Sequence, residues 1–424
     1  MRNILNKIFS RSNNLDYISS GIHKITNNTP VNKIFDAINS YSFDSEVRYV
    51  GGCLRNIINQ EQVDDIDLAT NLKPNEICEA LKKKNITYFE TGKEHGTITA
   101  VMDNFKFEIT SLREDVITDG RHAKVKFSSD WKKDSLRRDF TINSIYADCN
   151  GNLFDPHNGK EDLENGIINF IGNTDNRIKE DYLRILRYLR FFLGYSKKPH
   201  RSETLKKIKI NIGGVLKISK ERLIDELKKI SKLEILEKLS KDKLSLELIL
   251  LIFPELKNLN IFSKLNLTKR EILKKNDFIF ILSLMIIDGT DNTDYFLYKF
   301  KLSKKNQKRI KVIDNFYRER VNSKTFTESN FNRIFYYNGI EAVTDILNYK
   351  VIKSKNSEEK LLELINFYQN KPIPKMFINA ELLMTKYKIP EGKIIGEKLK
   401  KIEEEWISNN FEISNEKLDF IVKS

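Results

Sequence analysis

Two hydrophobic patterns divide the chain near residue 175. Before it, short β-branched runs alternate with Gly, Asn and Asp: EVRYV at 46–50, DIDLA at 65–69, TITAVM at 97–102, FKFEIT at 105–110 and INSIYAD at 142–148. Runs of this length, bounded by turn formers, predict strands, with helices such as LKPNEICEALKKKN between them. Beyond residue 175 the period becomes helical. Leu223, Ile224, Leu227 and Ile230 recur at helical spacing behind Ser219, a candidate N-cap. LSLELILLIFPEL predicts a buried helix that stops before Pro254, and FIFILSLMII predicts another. The predicted fold class is α+β, a mixed β-sheet with helices followed by an all-α region.

Charge narrows the partners. Lys and Arg outnumber Asp and Glu by 73 to 59, a formal net charge of +14. That surplus suits a polyanion, because neutralising phosphates releases counterions and drives nucleic-acid binding. Part of it is compositional, since Lys, Asn and Ile crowd the whole chain. Cys53, Cys78 and Cys149 lie far apart with no CxxC pair. They offer neither a disulfide framework nor a zinc site, and they suit a reducing cytoplasm. The longest apolar run, Phe278 to Ile287 interrupted by Ser283, is half the ~20 residues of a membrane span. The opening MRNILNKIFSRSN lacks the apolar stretch of a signal peptide. A cytoplasmic protein is expected, with no membrane and no obligate protein partner.

The chemistry concentrates in the first half. A predicted strand ends at Val50, and Gly51 and Gly52 lead into an apolar helical segment. Glycines there let backbone N–H groups approach a phosphate at a helix N-terminus, with Arg55 one turn behind. Gly-Gly before a helix is also a common turn. Asp65 and Asp67 sharpen the case. At i and i+2 on a strand the two carboxylates share a face, while Ile66 and Leu68 point into a core. Neighbouring carboxylates repel unless a cation lies between them, and Mg²⁺ is the fitting hard ion. Glu108 is a candidate third carboxylate, to deprotonate an attacking hydroxyl or complete the metal site. An exposed acid on an edge strand is the equal alternative. Arg137, Arg138 and Asp139 make a charged knot before an apolar strand, suited to phosphate and ribose or to a structural salt bridge. Over 177–193, Tyr182, Ile185, Leu186, Leu189 and Leu193 line one helical face. Asp181, Arg184, Arg187 and Arg190 follow at i+3 steps on the opposite, outward side. Asp and Arg at that spacing can offer acceptors and donors to a base edge.

GGCLRN…DDIDLAT, HGTITAV…FEITSLRED…DGRHA, RRDFTINSIYAD, DPHNG and EDYLRILRYLRF stand in that order. Together they resemble the class II tRNA nucleotidyltransferase and bacterial poly(A) polymerase family of the polymerase-β superfamily. The likeness is dense over 46–192 and resumes in IPEGKIIGEKLKKIEEEWI. It implies a polymerase-β-like nucleotidyltransferase head over 30–175 and a helical neck with a nucleotide-selecting helix over 176–235. A helical, RNA-binding body and tail over 236–424 would complete a seahorse shape. By the same resemblance Asp65 and Asp67 hold the catalytic metals, Gly52 and Arg55 the nucleotide phosphates, and Arg138 and Asp139 the ribose and phosphates. Asp181 and Arg184 form an amino-acid template for CTP or ATP, supported by Arg187 and Arg190. The segment from Thr110 to Lys124 resembles a flexible loop that switches the site from C to A. Two departures stand out: Asn56 where the family has Asp, and Asn59-Gln60 where it has Leu-Gly. The loss of charge argues against a metal ligand at position 56.

The implied reaction is in-line attack of an RNA 3′-hydroxyl on the α-phosphate of CTP or ATP, releasing pyrophosphate. Two Mg²⁺ ions ~3.5–4 Å apart would assist it, with the tRNA CCA end as product. The alternatives are a poly(A) polymerase using ATP alone, a tRNA enzyme adding only C or only A, and a non-catalytic RNA-binding protein. His95, His122 and His157 read as structural and Cys53 as a packing residue. Lys197-Lys198-Pro-His-Arg201, Lys206-Lys207 and Lys304-Lys305 to Lys311 are either RNA contacts or solvated faces.

Overall fold

Residues 17–28 form helix α1, and Val31–Asn39 form α2. Val31, Ile34, Phe35 and Ile38 of α2 fall at i, i+3, i+4 and i+7, and all four are buried. The computed structural model describes residues 17–63, 65–117, 124–318, 326–354 and 358–423. The chain divides into two units, Met1–Glu226 and Leu227–Ser424.

In the first unit β1 (Val47–Val50) runs into α3 (Gly52–Ile58), followed by β2 (Ile66–Thr70) and α4 (Pro74–Lys83). Pro74 opens α4 where a missing N–H costs nothing, and Glu76 accepts the Lys73 N–H at 2.7 Å. Then come β3 (Thr87–Gly92), β4 (Thr97–Met102) and β5 (Phe105–Ser111). The Thr110–Lys124 segment, which resembles a flexible loop, contributes strand β6 (Arg113–Ile117), paired with β7 (Lys124–Phe127) in a separate hairpin. Residues 118–123, with all of DGRHA and so His122, lie outside the described residues. After α5 (Trp131–Arg137), the expected INSIYAD strand splits. Thr141–Asn143 make a 3-10 turn, and only Tyr146–Ala147 (β8) joins the sheet, beside β9 (Leu153–Phe154). The turn wins because the Thr141 N–H pairs with Asn169 O, outside the sheet.

The seven strands pair in the order β3-β4-β5-β2-β1-β8-β9. Only β2 and β5 run parallel, in a register that sets Asp67 opposite Glu108. Glu108 is therefore exposed but on an interior strand, which removes the edge-strand alternative. Ile66 and Leu68 are buried with Phe107, Ile109 and Ile98, and α2 and α4 pack on the strands. The face that carries Asp67 closes further along over Val50, Ala69, Leu112 and Tyr146, with Trp131 against them.

Helices α6 (Gly159–Glu164), α7 (Thr174–Glu180), α8 (Arg184–Tyr195), α9 (Ser202–Asn211) and α10 (Lys220–Ile230) follow. Leu223, Leu227 and Ile230 face inward as expected. Ser219 does not cap α10, because its hydroxyl is buried without a hydrogen bond. The second unit is helical in its described residues. It comprises α11 (Leu233–Leu239), α12 (Lys243–Ile252), α13 (Leu267–Lys275), α14 (Phe278–Ile286), α15 (Asn292–Phe300), α16 (Lys304–Arg318), α17 (Glu328–Lys353), α18 (Glu358–Asn370), α19 (Ala380–Tyr387), α20 (Lys393–Ser408) and α21 (Asn415–Lys423). FIFILSLMII becomes α14, buried from Ile279 to Ile286. Among the described residues no helix is long and apolar enough to cross a membrane.

Candidate active site

Asp67 is the centre of the candidate site. A Cβ built on Gly51 or Gly52 would lie 3.7 or 3.8 Å from Asp67 Oδ2, so the strand–turn–helix backbone passes directly by the carboxylate. Gly51 takes φ +73°, a left-handed conformation that costs other residues about 1–2 kcal/mol, and this bend turns β1 into α3. Arg55 returns over the same turn, its Nη2 3.8 Å from a Cβ at Gly52. Burial pushes the Asp67 carboxyl above its ordinary pKa, and Glu108 and Asp65 push it further, against Arg138 and Arg55. A cation beside it would favour its ionised form.

Asp65, two residues before Asp67, and Glu108, opposite it on β5, are exposed. Among the described residues no three Asp, Glu, His or Cys side chains are spaced to hold a metal ion by themselves. Mg²⁺ is commonly held by one or two protein carboxylates, with water and substrate phosphate completing its octahedron. Asp65 and Asp67 fit that donor set, and Glu108 is not required as a third ligand. Asn56 donates to Gln62 O at 2.7 Å, serving the turn after α3. Gln60 adopts φ 57°, the left-handed conformation that glycine favours.

Arg138 and Asp139 point into the protein. Arg138 Nε donates to Asp134 Oδ2 at 3.1 Å and to the Tyr146 hydroxyl at 2.9 Å. Asp134, fully buried, also takes Arg137 Nε at 2.8 Å and the Arg113 N–H at 3.3 Å. Burial alone would raise the Asp134 pKa, but Arg138 and Arg137 bring it down to about 2. Asp139 accepts from Arg187 Nε at 2.5 Å and from Asn143 Nδ2 at 2.7 Å. Despite its burial, Arg187 and Asn143 hold its pKa well below the carboxylate range. The salt-bridge reading of this knot is thus realised, with partners outside the Arg–Asp tripeptide.

The arginine face of α8 is not an outward one. Asp181 precedes the helix as the C-cap of α7, and its Oδ2 accepts from Arg222 Nη2 at 2.7 Å. Arg184 is buried, and its Nη1 donates to Glu180 Oε2 at 2.7 Å and Arg177 O at 2.8 Å. Arg190 donates to the buried Glu226. Arg55, Arg187 and Arg190 surround one ring, their guanidinium carbons 4.9, 5.5 and 4.1 Å from the Phe191 centroid. Burial, then the positive charges of Arg187 and Arg55, hold Arg190 below its usual pKa despite Glu226. Cation packing of this kind suits a polyphosphate.

The fold thus brings Gly51, Gly52, Arg55, Asp65, Asp67 and Glu108 to one spot, and α8 brings Arg187 and Arg190 beside Arg55. Asp181 and Arg184 lie at the start of the same helix, each already paired. Sequence reasoning missed Asp134, Asn143, Phe191, Arg222 and Glu226. Asp134 alone carried a local signal, standing three and four residues before two arginines on one helix. Cys53 is a packing residue whose buried thiol is pushed up to about 12, and His157 bonds Ser135 Oγ at 2.9 Å. Lys197 and Arg201 are engaged within the first unit, with Glu164 O and Asn169 Oδ1.

Fold and site together define a protein with a polymerase-β-like nucleotidyltransferase head and a helical C-terminal region. Residues 47–169 match the poly(A) polymerase head domain, and residues 273–421 match the tRNA nucleotidyltransferase domain 2. The human mitochondrial CCA tRNA nucleotidyltransferase 1 is 48% identical over 188 residues, 44% of this chain and 43% of the relative. The CCA-adding enzyme of Staphylococcus epidermidis is 39% identical over 184 residues, 43% of this chain and 45% of the relative. These alignments span less than half the length of the curated relatives. The CCA-adding enzyme of Bacillus stearothermophilus, solved in complex with CTP, shares the fold at a TM-score of 0.69 and 21% identity, over 92% of this chain and 95% of that one. The chain thus combines a poly(A) polymerase head domain with a C-terminal tRNA nucleotidyltransferase domain.

Proposed function

We propose that this protein is a CCA tRNA nucleotidyltransferase, adding C, C and A to tRNA 3′ ends from CTP and ATP with release of pyrophosphate. The observation that carries the reading is the meeting of Asp67, with Glu108 opposite it, with the Gly51–Gly52 turn and Arg55. Asp65 and Asp67 would hold Mg²⁺, two ions in all, which supply Lewis acidity to the attacking and leaving oxygens when bound. The backbone at Gly51 and Gly52 and the Arg55 guanidinium bind the triphosphate, with charge added by Arg187 and Arg190. Asp181 and Arg184 exchange their present partners, Arg222 and Glu180, for the base edge of CTP or ATP. Arg138 and Asp139 hold the wall of the nucleotide pocket. Glu108, opposite Asp67, keeps a general-base role open to it.

CCA addition is favoured over ATP-only tailing because the human and bacterial relatives matched through the head are both CCA enzymes. The partner is then the acceptor end of tRNA. Three free cysteines suit a reducing, cytoplasmic compartment. The test is incubation with Mg²⁺ and a tRNA transcript lacking CCA. Two additions from CTP, one more from ATP and then a stop are expected. Long A tails from ATP alone would instead make it a poly(A) polymerase.

A further inference from the structure

We propose that Asn143 is a positioning residue for the incoming nucleotide: its side-chain carbonyl sets the Arg55 guanidinium toward the phosphates, and its amide locks Arg55 to helix α8. The inference rests on the nucleotide-binding reading of Arg55. Asn143 is buried in the Thr141–Asn143 turn, 88 residues from Arg55. Arg55 Nη1 donates to Asn143 Oδ1. Asn143 Nδ2 donates to Asp139 Oδ1 at 2.7 Å, and Asp139 Oδ2 accepts from Arg187 Nε at 2.5 Å. A guanidinium only donates and an ionised carboxylate only accepts, so the amide has one orientation that serves both. The position calls for a neutral group with an acceptor on one side and a donor on the other, which Asn supplies in a small volume.

Arg55 is otherwise held by contacts with little directionality, the charge of Asp67 and two rings. Its Nε is buried with no hydrogen-bond partner, and its guanidinium carbon lies 4.9 Å from the Phe191 centroid and 5.6 Å from that of Tyr195, both on α8. Ring faces attract the cation but leave it free to slide, whereas a hydrogen bond fixes direction. The turn that presents Asn143 is itself pinned. Thr141 Oγ1 donates to Asp162 Oδ2 at 2.6 Å, and Arg138 Nη1 donates to Asn143 O at 3.3 Å. The chain Arg55–Asn143–Asp139–Arg187 therefore joins the phosphate turn on α3 to the arginines of α8.

The test compares wild type with Asn143→Ala, Arg55→Ala and the double variant, reading both tRNA extension and calorimetric binding of CTP and ATP in Mg²⁺. Binding reports the nucleotide grip even if wild type extends no tRNA, so failure of the catalytic reading is seen separately. Asn143→Ala should weaken both nucleotides about tenfold, with kcat within about threefold of wild type. In the Arg55→Ala background the same change should cost little more, because its effect passes through Arg55. Wild-type affinity in Asn143→Ala, or losses that simply multiply in the double variant, would overturn the proposal. Should Asn143→Ala unfold, Asn143→Ser keeps a neutral polar side chain that is too short to bridge Arg55 and Asp139, and it is expected to weaken CTP binding about tenfold. Wild-type CTP affinity in folded Asn143→Ser would equally overturn it.

Discussion

Single side chains here are defined by the charge they lack or share. Asp67 sits half-buried beside Asp65 and Glu108, an arrangement that costs stability until a cation arrives. Asp67→Asn should therefore raise the melting temperature of the metal-free protein. It should also lower nucleotide transfer by on the order of 10³-fold. Calorimetry and a transfer assay on the same sample check both, and near wild-type activity would remove Asp67 from the metal site. Asp134 is the opposite case, a buried carboxylate satisfied by two arginines and a tyrosine. Asp134→Asn leaves Arg138 buried without its counter-charge and should cost about 3–5 kcal/mol. The pH dependence follows from the sign of the shift. With a folded pKa of about 2 against an unfolded value near ~3.9, its contribution is whole above about pH 4. It is lost as pH falls toward about 2. Denaturant melts at pH 5, 4 and 3 should show wild type losing stability that Asp134→Asn never had.

At the scale of elements, the turn between α5 and β8 is the piece on which the others bear. DPHNG serves it. Asp155 accepts the N–H groups of Gly159 and Lys160, both at 2.8 Å, and opens α6. Gly159 then lies so close to the turn that a Cβ would meet Thr141 O at 2.1 Å. Gly159→Ala must push α6 or the turn aside, at about 1–3 kcal/mol. Because Asn143 ends that turn, nucleotide KM should rise along with the loss of stability. Urea melts and initial rates at several CTP concentrations would show it, and a stability loss with unchanged KM would uncouple the turn from the site. The strand predicted over INSIYAD failed for a related reason. Its alternation was real, but its backbone groups found partners across the turn instead of along a neighbour strand.

For the whole molecule, the +14 charge suits a polyanion such as the tRNA proposed as its partner. If about six phosphates are neutralised, log affinity should fall with log salt at a slope of roughly −5. A filter-binding series with tRNA lacking CCA would measure it. A slope near zero would move recognition away from phosphates to base and shape contacts. Within the lysine clusters, Lys197 and Lys311 are engaged by Glu164 O and Asp294.

Local periodicity alone determined the parts that depend on neighbours in the chain. Asp65 and Asp67 alternate with Ile66 and Leu68 because a strand turns its side chains over at every residue. The Gly-Gly step marked the bend into α3, and the helical second unit was legible from its 3.6-residue period. Tertiary structure alone decided which charges meet. Glu108 reaches Asp67 only because β2 and β5 pair in parallel across an intervening crossover. Asp139 finds Arg187 from 48 residues away, and Asn143 finds Arg55 from 88. The arginine face of α8 looked outward on a helical wheel, yet it faces Asp139, Glu180 and Glu226. A wheel gives direction around one axis, whereas the partner of a buried charge is set by whichever distant element the fold packs against it.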